Sequence, residues 1–309
     1  MSVYLKLPKA QIVIVILFLI VSSCTNQEKQ LENNNKEENN ELSQEPFDRK
    51  VELEGQANMR DLGNYTTSDD YKIKTGILFR TGTFSKLTDV DVEVLSDLGI
   101  KTVVNFLSET EIEKYGEDRL PSGVSSIKLP ISGSNNEAEM IVMARLSGNF
   151  LTVPTEFNQN IHKSLPESGK NAYLNFFKLL ADSTNYPIAF HCSHGIHRTG
   201  TATALLLGML DVPWNQIESD YLLSSEYRME ESLARIENLD SIARVESPGI
   251  DYDLNRKNIE AFYLLDAQYI MGTKMHIEEN YGSFKKYFLS IGLTEEDLEK
   301  IRNNLLSLD

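Results

Sequence analysis

The chain has 309 residues, enough for one large domain or two small ones, with 41% hydrophobic and 25% charged side chains. Forty-six acidic against thirty basic residues leave a formal charge of −16. Such a balance repels nucleic acid and disfavours broad adsorption to anionic membranes, so a phosphate-bearing ligand would need a local site.

Lys6 and Lys9 precede an unbroken apolar run from Ile12 to Val21. Ten residues are too few to span a bilayer as a helix and suit the core of a secretory signal. Val21-Ser22-Ser23-Cys24 follows and resembles a bacterial lipobox, in which the cysteine is lipidated and becomes the new N-terminus. Residues 1–23 are therefore expected to be a lipoprotein signal peptide and Cys24 the lipidation site. Residues 24–48 are rich in Asn, Gln and Glu and poor in apolar side chains. They cannot bury enough surface to offset ordering entropy, and are expected to be a disordered, lipid-anchored tether reaching about 25–30 Å. The protein is then extracytoplasmic, and lipid is its only membrane contact. Cys192 would be the one remaining thiol, so no internal disulfide can form.

From about Arg49 strand-like and helix-like segments alternate. Gly76-Ile77-Leu78-Phe79-Arg80 reads as a buried strand. Thr88 is placed to cap a helix, with Asp89 and Asp91 in the first turn, an apolar face of Val90, Val94, Leu95 and Leu98, and a stop at Gly99. Lys101 to Leu107 is β-branched and apolar, hence a strand. Tyr173, Phe176, Phe177 and Leu180 fall at i, i+3, i+4 and i+7, one face of a helix. Tyr186 to Phe190 reads as another short strand, and Thr201 to Leu210 as an apolar helix. Further on, Phe284, Tyr287, Phe288 and Ile291 share a helical face, and a last helix opens at Thr294. Interleaved strands and helices predict an α/β domain over 49–309, with a largely parallel sheet and a helical C-terminal third.

Between the strand at Phe190 and the helix lies His191-Cys192-Ser193-His194-Gly195-Ile196-His197-Arg198-Thr199-Gly200, with three of the five histidines. Zinc would want two ligand pairs separated by a finger-length loop, and the only other histidines are His162 and His276. No metal or other cofactor is expected. A packed cysteine is the bland alternative, since a thiol after a buried strand is often only a small hydrophobe. The context favours a nucleophile. A loop feeding a helix can turn the amides of Ser193, His194, Gly195, Ile196, His197 and Arg198 inward around a phosphate, with Gly195 supplying the curl. The same amides and Arg198 would lower the pKa of Cys192, and the planar fork of Arg198 can grip two phosphate oxygens. Thr199 is expected to cap the helix and donate to the sulfur. The implied chemistry is in-line attack by the Cys192 thiolate, a phosphocysteine intermediate, and its hydrolysis by water.

Cys192-x5-Arg198-Thr199 resembles the signature of cysteine-dependent protein tyrosine phosphatases, closest to the bacterial tyrosine and dual-specificity family with an HCxxGxxRTG loop. Asn58-Met59-Arg60-Asp61-Leu62-Gly63 is similar to that family's N-x-R-D element, and Gly76 to Thr81 to its G-x-hydrophobic-aromatic-R-S/T strand. Asp220 to Arg228, and Tyr281 to Phe284 followed by Tyr287, resemble its C-terminal helices. The resemblance covers about residues 50–309 and implies the cysteine-phosphatase fold and activity. Three positions depart from it. Ile196 and His197 stand where the family has Lys and Asp, so a loop charge suited to polyphosphorylated inositols is missing. Asn105 replaces an aspartate that is a candidate acid.

A proton donor to the leaving oxygen is expected. Asp61 and His197 are candidates, along with Glu109, Glu111, Glu137, Glu139 and Glu156, although Asp61 is equally well placed to cap a turn. A weak acid favours phenolate, with a pKa of about 10, over an alkoxide leaving group. Phosphotyrosine proteins are therefore the expected substrates. A small phosphate ester, such as an inositol phosphate, and a phosphate-binding module without turnover are the alternatives.

Overall fold

The structure, a computed structural model, describes residues 47–132 and 135–308, leaving the side chains of 135–138 undescribed. The expected signal segment, Cys24 and the tether up to residue 46 lie outside the described residues. Five strands form the central sheet in the order β1 (Arg60–Asp61), β3 (Leu78–Thr81), β6 (Ile188–His191), β4 (Thr102–Asn105), β5 (Ser125–Lys128). β1 is antiparallel to β3, and the other pairings are parallel. The three inner strands are buried at every residue, as a sheet covered on both faces requires.

Register fixes where a site can lie. Thr81, His191, Asn105 and Lys128 share one row, so β3, β6, β4 and β5 end level. β6 is last in sequence among them yet occupies the middle, with Cys192 just beyond its end. Crevices at the carboxyl ends of parallel strands, where strand order switches, are where α/β folds bind ligands.

Helices cover the sheet. α1 (Asp89–Asp97) carries a capping box between Thr88 and Asp91, and α2 (Glu109–Tyr115) one between Ser108 and Glu111. α3 (Asn135–Ser147), α4 (Phe157–Ser168) and α5 (Lys170–Leu180) lie between β5 and β6. α6 (His197–Met209) follows β6 and is buried almost all round from Thr199 onward, which makes it the central helix. α7 (Trp214–Tyr227), α8 (Met229–Glu246), α9 (Tyr252–Tyr263), α10 (Ala267–Tyr281), α11 (Phe284–Ile291) and α12 (Glu295–Leu305) complete the C-terminal part. The stripe Tyr173, Phe176, Phe177 and Leu180 is fully buried, and Phe177 meets Phe288 of α11 with ring centroids 4.1 Å apart. Each such ring is worth roughly 1.5–3 kcal/mol by burial alone.

The α/β class, the parallel sheet and the helical C-terminal portion are as expected. Strands run one or two residues shorter or later than their apolar runs, because pairing rather than hydropathy ends them. The C-terminal third is not purely helical. β7 (Leu306–Ser307) pairs with β2 (Lys72–Ile73) in a separate two-stranded sheet.

Candidate active site

The curl between β6 and α6 keeps its carbonyls outward. Ser193 O accepts from Thr83 N, His194 O from Asn58 Nδ2, Gly195 O from Arg80 Nη2, and Arg198 O from Tyr173 Oη. Gly195 sits at φ +71°, and a Cβ there would lie 2.5 Å from Thr81 O, so only glycine fits. α6 starts at His197, two residues before the expected cap at Thr199. Thr199 therefore does not cap it. The N-cap position is Ile196, whose side chain makes no capping bond, and the first-turn amides remain available for an anion.

Cys192 is 3% exposed, and its sulfur is approached by the amides of Gly195 and Thr199. Burial pushes the thiol pKa up. Arg198, the Thr199 hydroxyl and those two amides outweigh burial and bring it down to about 7. Thr199 Oγ1 is buried without a full hydrogen bond among the described residues, close enough to favour the sulfur anion.

Arg198 is held end-on. Nη1 and Nη2 donate to the two Glu111 oxygens at 2.6 Å each, and Nη1 also meets the carbonyls of Phe106 and Ile131. Nε and the second Nη2 hydrogen have no partner among the described residues, leaving one edge of the fork for two oxygens of a ligand. Burial opposes charge on both partners, but the pairing dominates: the Glu111 carboxyl is held below its usual range and the guanidinium above its own. Glu111, an acid candidate from the sequence, is thus a fixed carboxylate that orients Arg198.

The other expected residues separate. His197 Nε2 donates to Asn158 Oδ1 at 3.1 Å. Burial, followed by Arg198, Arg145 and Arg228, lowers its pKa to about 4, so the ring is neutral at neutral pH. Asp61 lies opposite Phe79, which pairs with Ala189. That is three residues before Cys192, or roughly 10 Å back along the strand direction. Its carboxylate accepts from the amides of Gly63 at 2.7 Å and Gly76 at 2.6 Å, so it braces a turn, and the structure does not bring it to the loop. Glu109, Glu139 and Glu156 are exposed, and the side chain of Glu137 is outside the described set. Ser193 Oγ meets His194 Nδ1, and the His194 ring is exposed.

Several supporting residues carried no assignment from sequence. His191 joins the Cys192 carbonyl through Nδ1 and Asp118 through Nε2. Asp118 also accepts from Asn105 Nδ2, so Asn105 is a structural link. Asn58, Arg60, Arg80 and Asp220 form a buried cluster behind the loop. Only the motif resemblance around Asn58, Arg80 and Asp220 pointed towards them.

An acidified thiol, an arginine with one open edge and an uncapped helix, set at the end of a central parallel strand, define a cysteine-based phosphatase. The chain belongs to the tyrosine phosphatase family, whose sequence profile matches residues 51–307. The triple specificity protein phosphatase PtpB of Mycobacterium tuberculosis is 24% identical over 283 residues, covering 82% of this chain and 98% of that protein. A putative tyrosine-protein phosphatase of Cupriavidus necator is 24% identical over 254 residues, 81% of this chain and 86% of its own. Among solved structures, the Siw14 catalytic core aligns over 70% of this chain and 91% of its own, at 15% identity and a TM-score of 0.29. TpbA of P. aeruginosa aligns over 63% and 96%, at 16% identity and a TM-score of 0.26.

Proposed function

We propose that the chain hydrolyses aryl phosphate monoesters, phosphotyrosine in proteins first, through a phosphocysteine on Cys192. The Cys192 thiolate attacks phosphorus in line and the phenolate leaves. Water then cleaves the S–P bond, releasing phosphate. Arg198 and the loop amides from Ser193 to Arg198 take up the charge that spreads over the equatorial oxygens. The observation that carries this reading is the pairing of a thiol near its ionisation point with the open edge of Arg198.

The preference for phosphotyrosine rests on the acid candidates. Glu111 is committed to Arg198, Asp61 to two amides, and His197 is neutral and bonded to Asn158. A phenolate departs without full protonation, whereas a serine alkoxide does not. The test is a panel of phosphotyrosine, phosphoserine and phosphothreonine peptides with inositol hexakisphosphate, on wild type and Cys192→Ser. Phosphotyrosine turnover at least about a hundredfold faster than phosphoserine is expected, from the Brønsted cost of an unprotonated leaving group. Comparable rates on all three amino acids, or a preference for the inositol, would overturn it. Cys192→Ser should bind tungstate and turn nothing over, and turnover by that variant would remove the nucleophile assignment.

A thiol with a pKa near 7 is mostly thiolate above it and protonated below. Iodoacetamide alkylation of Cys192 should therefore rise with pH to a half-maximum near 7, and a midpoint near the free-thiol value of about 8.5 would contradict the electrostatics described. For the N-terminus we propose a signal peptide, lipid on Cys24 and an extracytoplasmic tether. Its support is the charge, run length and small residues before Cys24. Palmitate labelling that survives Cys24→Ala would refute it.

A further inference from the structure

A cradle that aims its amides at an anion must aim the carbonyls of the same peptide units the other way. Where those carbonyls are buried they need donors. In this loop two successive peptide units receive theirs from side chains far away in sequence. The unit joining His194 to Gly195 directs its N–H at the Cys192 sulfur, and its carbonyl accepts from Asn58 Nδ2 at 2.9 Å. The unit joining Gly195 to Ile196 accepts from Arg80 Nη2 at 2.7 Å, with Asn58 Nδ2 more distant at 3.4 Å.

Both donors are locked from behind. Asn58 Oδ1 accepts from Arg60 Nη1 at 2.6 Å, which fixes its amide with the nitrogen towards the loop. Arg60 Nε donates to Asp220 Oδ1 at 2.9 Å, and Arg80 Nη1 donates to Asp220 Oδ2. Arg60 Nη2 reaches Ser224 Oγ, and Tyr65 Oη donates to Asp220. Asn58, Arg60, Arg80 and Asp220 are each no more than 1% exposed. Two guanidiniums against one carboxylate leave a net positive charge sealed behind the loop. Arg80 Nε has no hydrogen-bond partner among the described residues. A buried ionic cluster with an unmet donor is a poor way to gain stability, since apolar replacements are often as stable.

We propose that Asn58 and Arg80 are positioning residues that act on the reacting atoms through these two peptide units. Asn58 acts through the His194–Gly195 amide on the sulfur anion, and Arg80 through the Gly195–Ile196 amide on the bound phosphate. A donor on a peptide oxygen polarises the unit and strengthens its N–H, more so when the donor is charged. The inference rests on the cysteine-phosphatase reading and adds a division of labour within it.

Two measurements that need no turnover test it: the pH midpoint of Cys192 alkylation by iodoacetamide, and the tungstate dissociation constant. Asn58→Ala should raise the midpoint by about one pH unit. Arg80→Met should weaken tungstate about tenfold and shift the midpoint less than Asn58→Ala does. Arg80→Lys keeps the charge and should recover part of the tungstate affinity. Ser224→Ala loosens the same cluster through Arg60 without touching the loop; it should lower Tm and move neither readout. Should Asn58→Ala or Arg80→Met fail to fold, Asn58→Ser, whose side chain is too short to reach the His194 carbonyl, and Arg80→Lys decide. A folded Asn58 variant with the wild-type midpoint, a folded Arg80 variant with wild-type tungstate affinity, or an equal shift in Ser224→Ala would overturn the proposal. Failure of the underlying reading looks different: wild-type protein that leaves p-nitrophenyl phosphate intact.

Discussion

Helices α1 and α6 each follow a parallel strand of the central sheet, and they begin in opposite ways. Thr88 before α1 is extended and closes a capping box with Asp91, so the first-turn amides are met by side chains. Ile196 before α6 has helical backbone angles and offers no capping group, while the amides of Gly195 and Thr199 approach the sulfur instead. The same feature, a helix N-terminus after a strand, is closed where it serves stability and open where it serves an anion. α2 and α12 follow the pattern of α1, with capping boxes at Ser108 and Thr294. α6 forgoes roughly 0.5–2 kcal/mol that a good cap supplies, and gains a positive seat for a thiolate and a phosphate.

The contrast can be broken from either side. Arg198→Lys keeps the charge but loses the fork, and should cut kcat/KM on p-nitrophenyl phosphate by on the order of 10²–10³-fold. A loss under tenfold would show that charge alone suffices. Glu111→Gln releases the arginine from its fixed angle, and a fall in kcat of about ten- to a hundredfold with little change in thiol midpoint is expected, because a misplaced binding group costs about that much. Ile196→Asp brings a carboxylate to the open N-terminus. It should weaken tungstate about tenfold and raise the alkylation midpoint, since the helix end then faces its own anion. Thr88→Ala, the smallest effect, should cost about 1 kcal/mol in a denaturant melt and leave kcat/KM as it was.

Local signals in the sequence reached far. Thr88 and Thr294 mark true helix starts, the i, i+3, i+4 stripe at Tyr173 marks a buried face, and Cys192-x5-Arg198 marks the loop. Where the sequence misleads, the reason is again local. Ile196, His197 and Arg198 carry no start signal, so the sequence points to Thr199 as the cap, whereas the helix begins at His197. Asp61 lies in a motif rich in polar residues, but strand register, invisible in one sequence, sets it behind the mouth. Contacts between distant segments were the least legible. Glu111 meets Arg198 across 87 residues, and Arg80 meets Gly195 across 115. No periodicity or spacing encodes such pairs, because neither partner alters the local pattern of the other.

The central place of β6 makes the cradle depend on distant segments of the chain. The cradle draws on Asn58, Arg80, Glu111 and Asn158 besides its own loop, segments spread over most of the folded chain. An unfolded chain has no such seat, so an oxyanion binds the native state alone. Tungstate at a hundred times its dissociation constant should then raise the unfolding free energy by about 2.7 kcal/mol. The molecule's own ligand is in that sense a reporter of how much of the fold has to be in place before chemistry can begin.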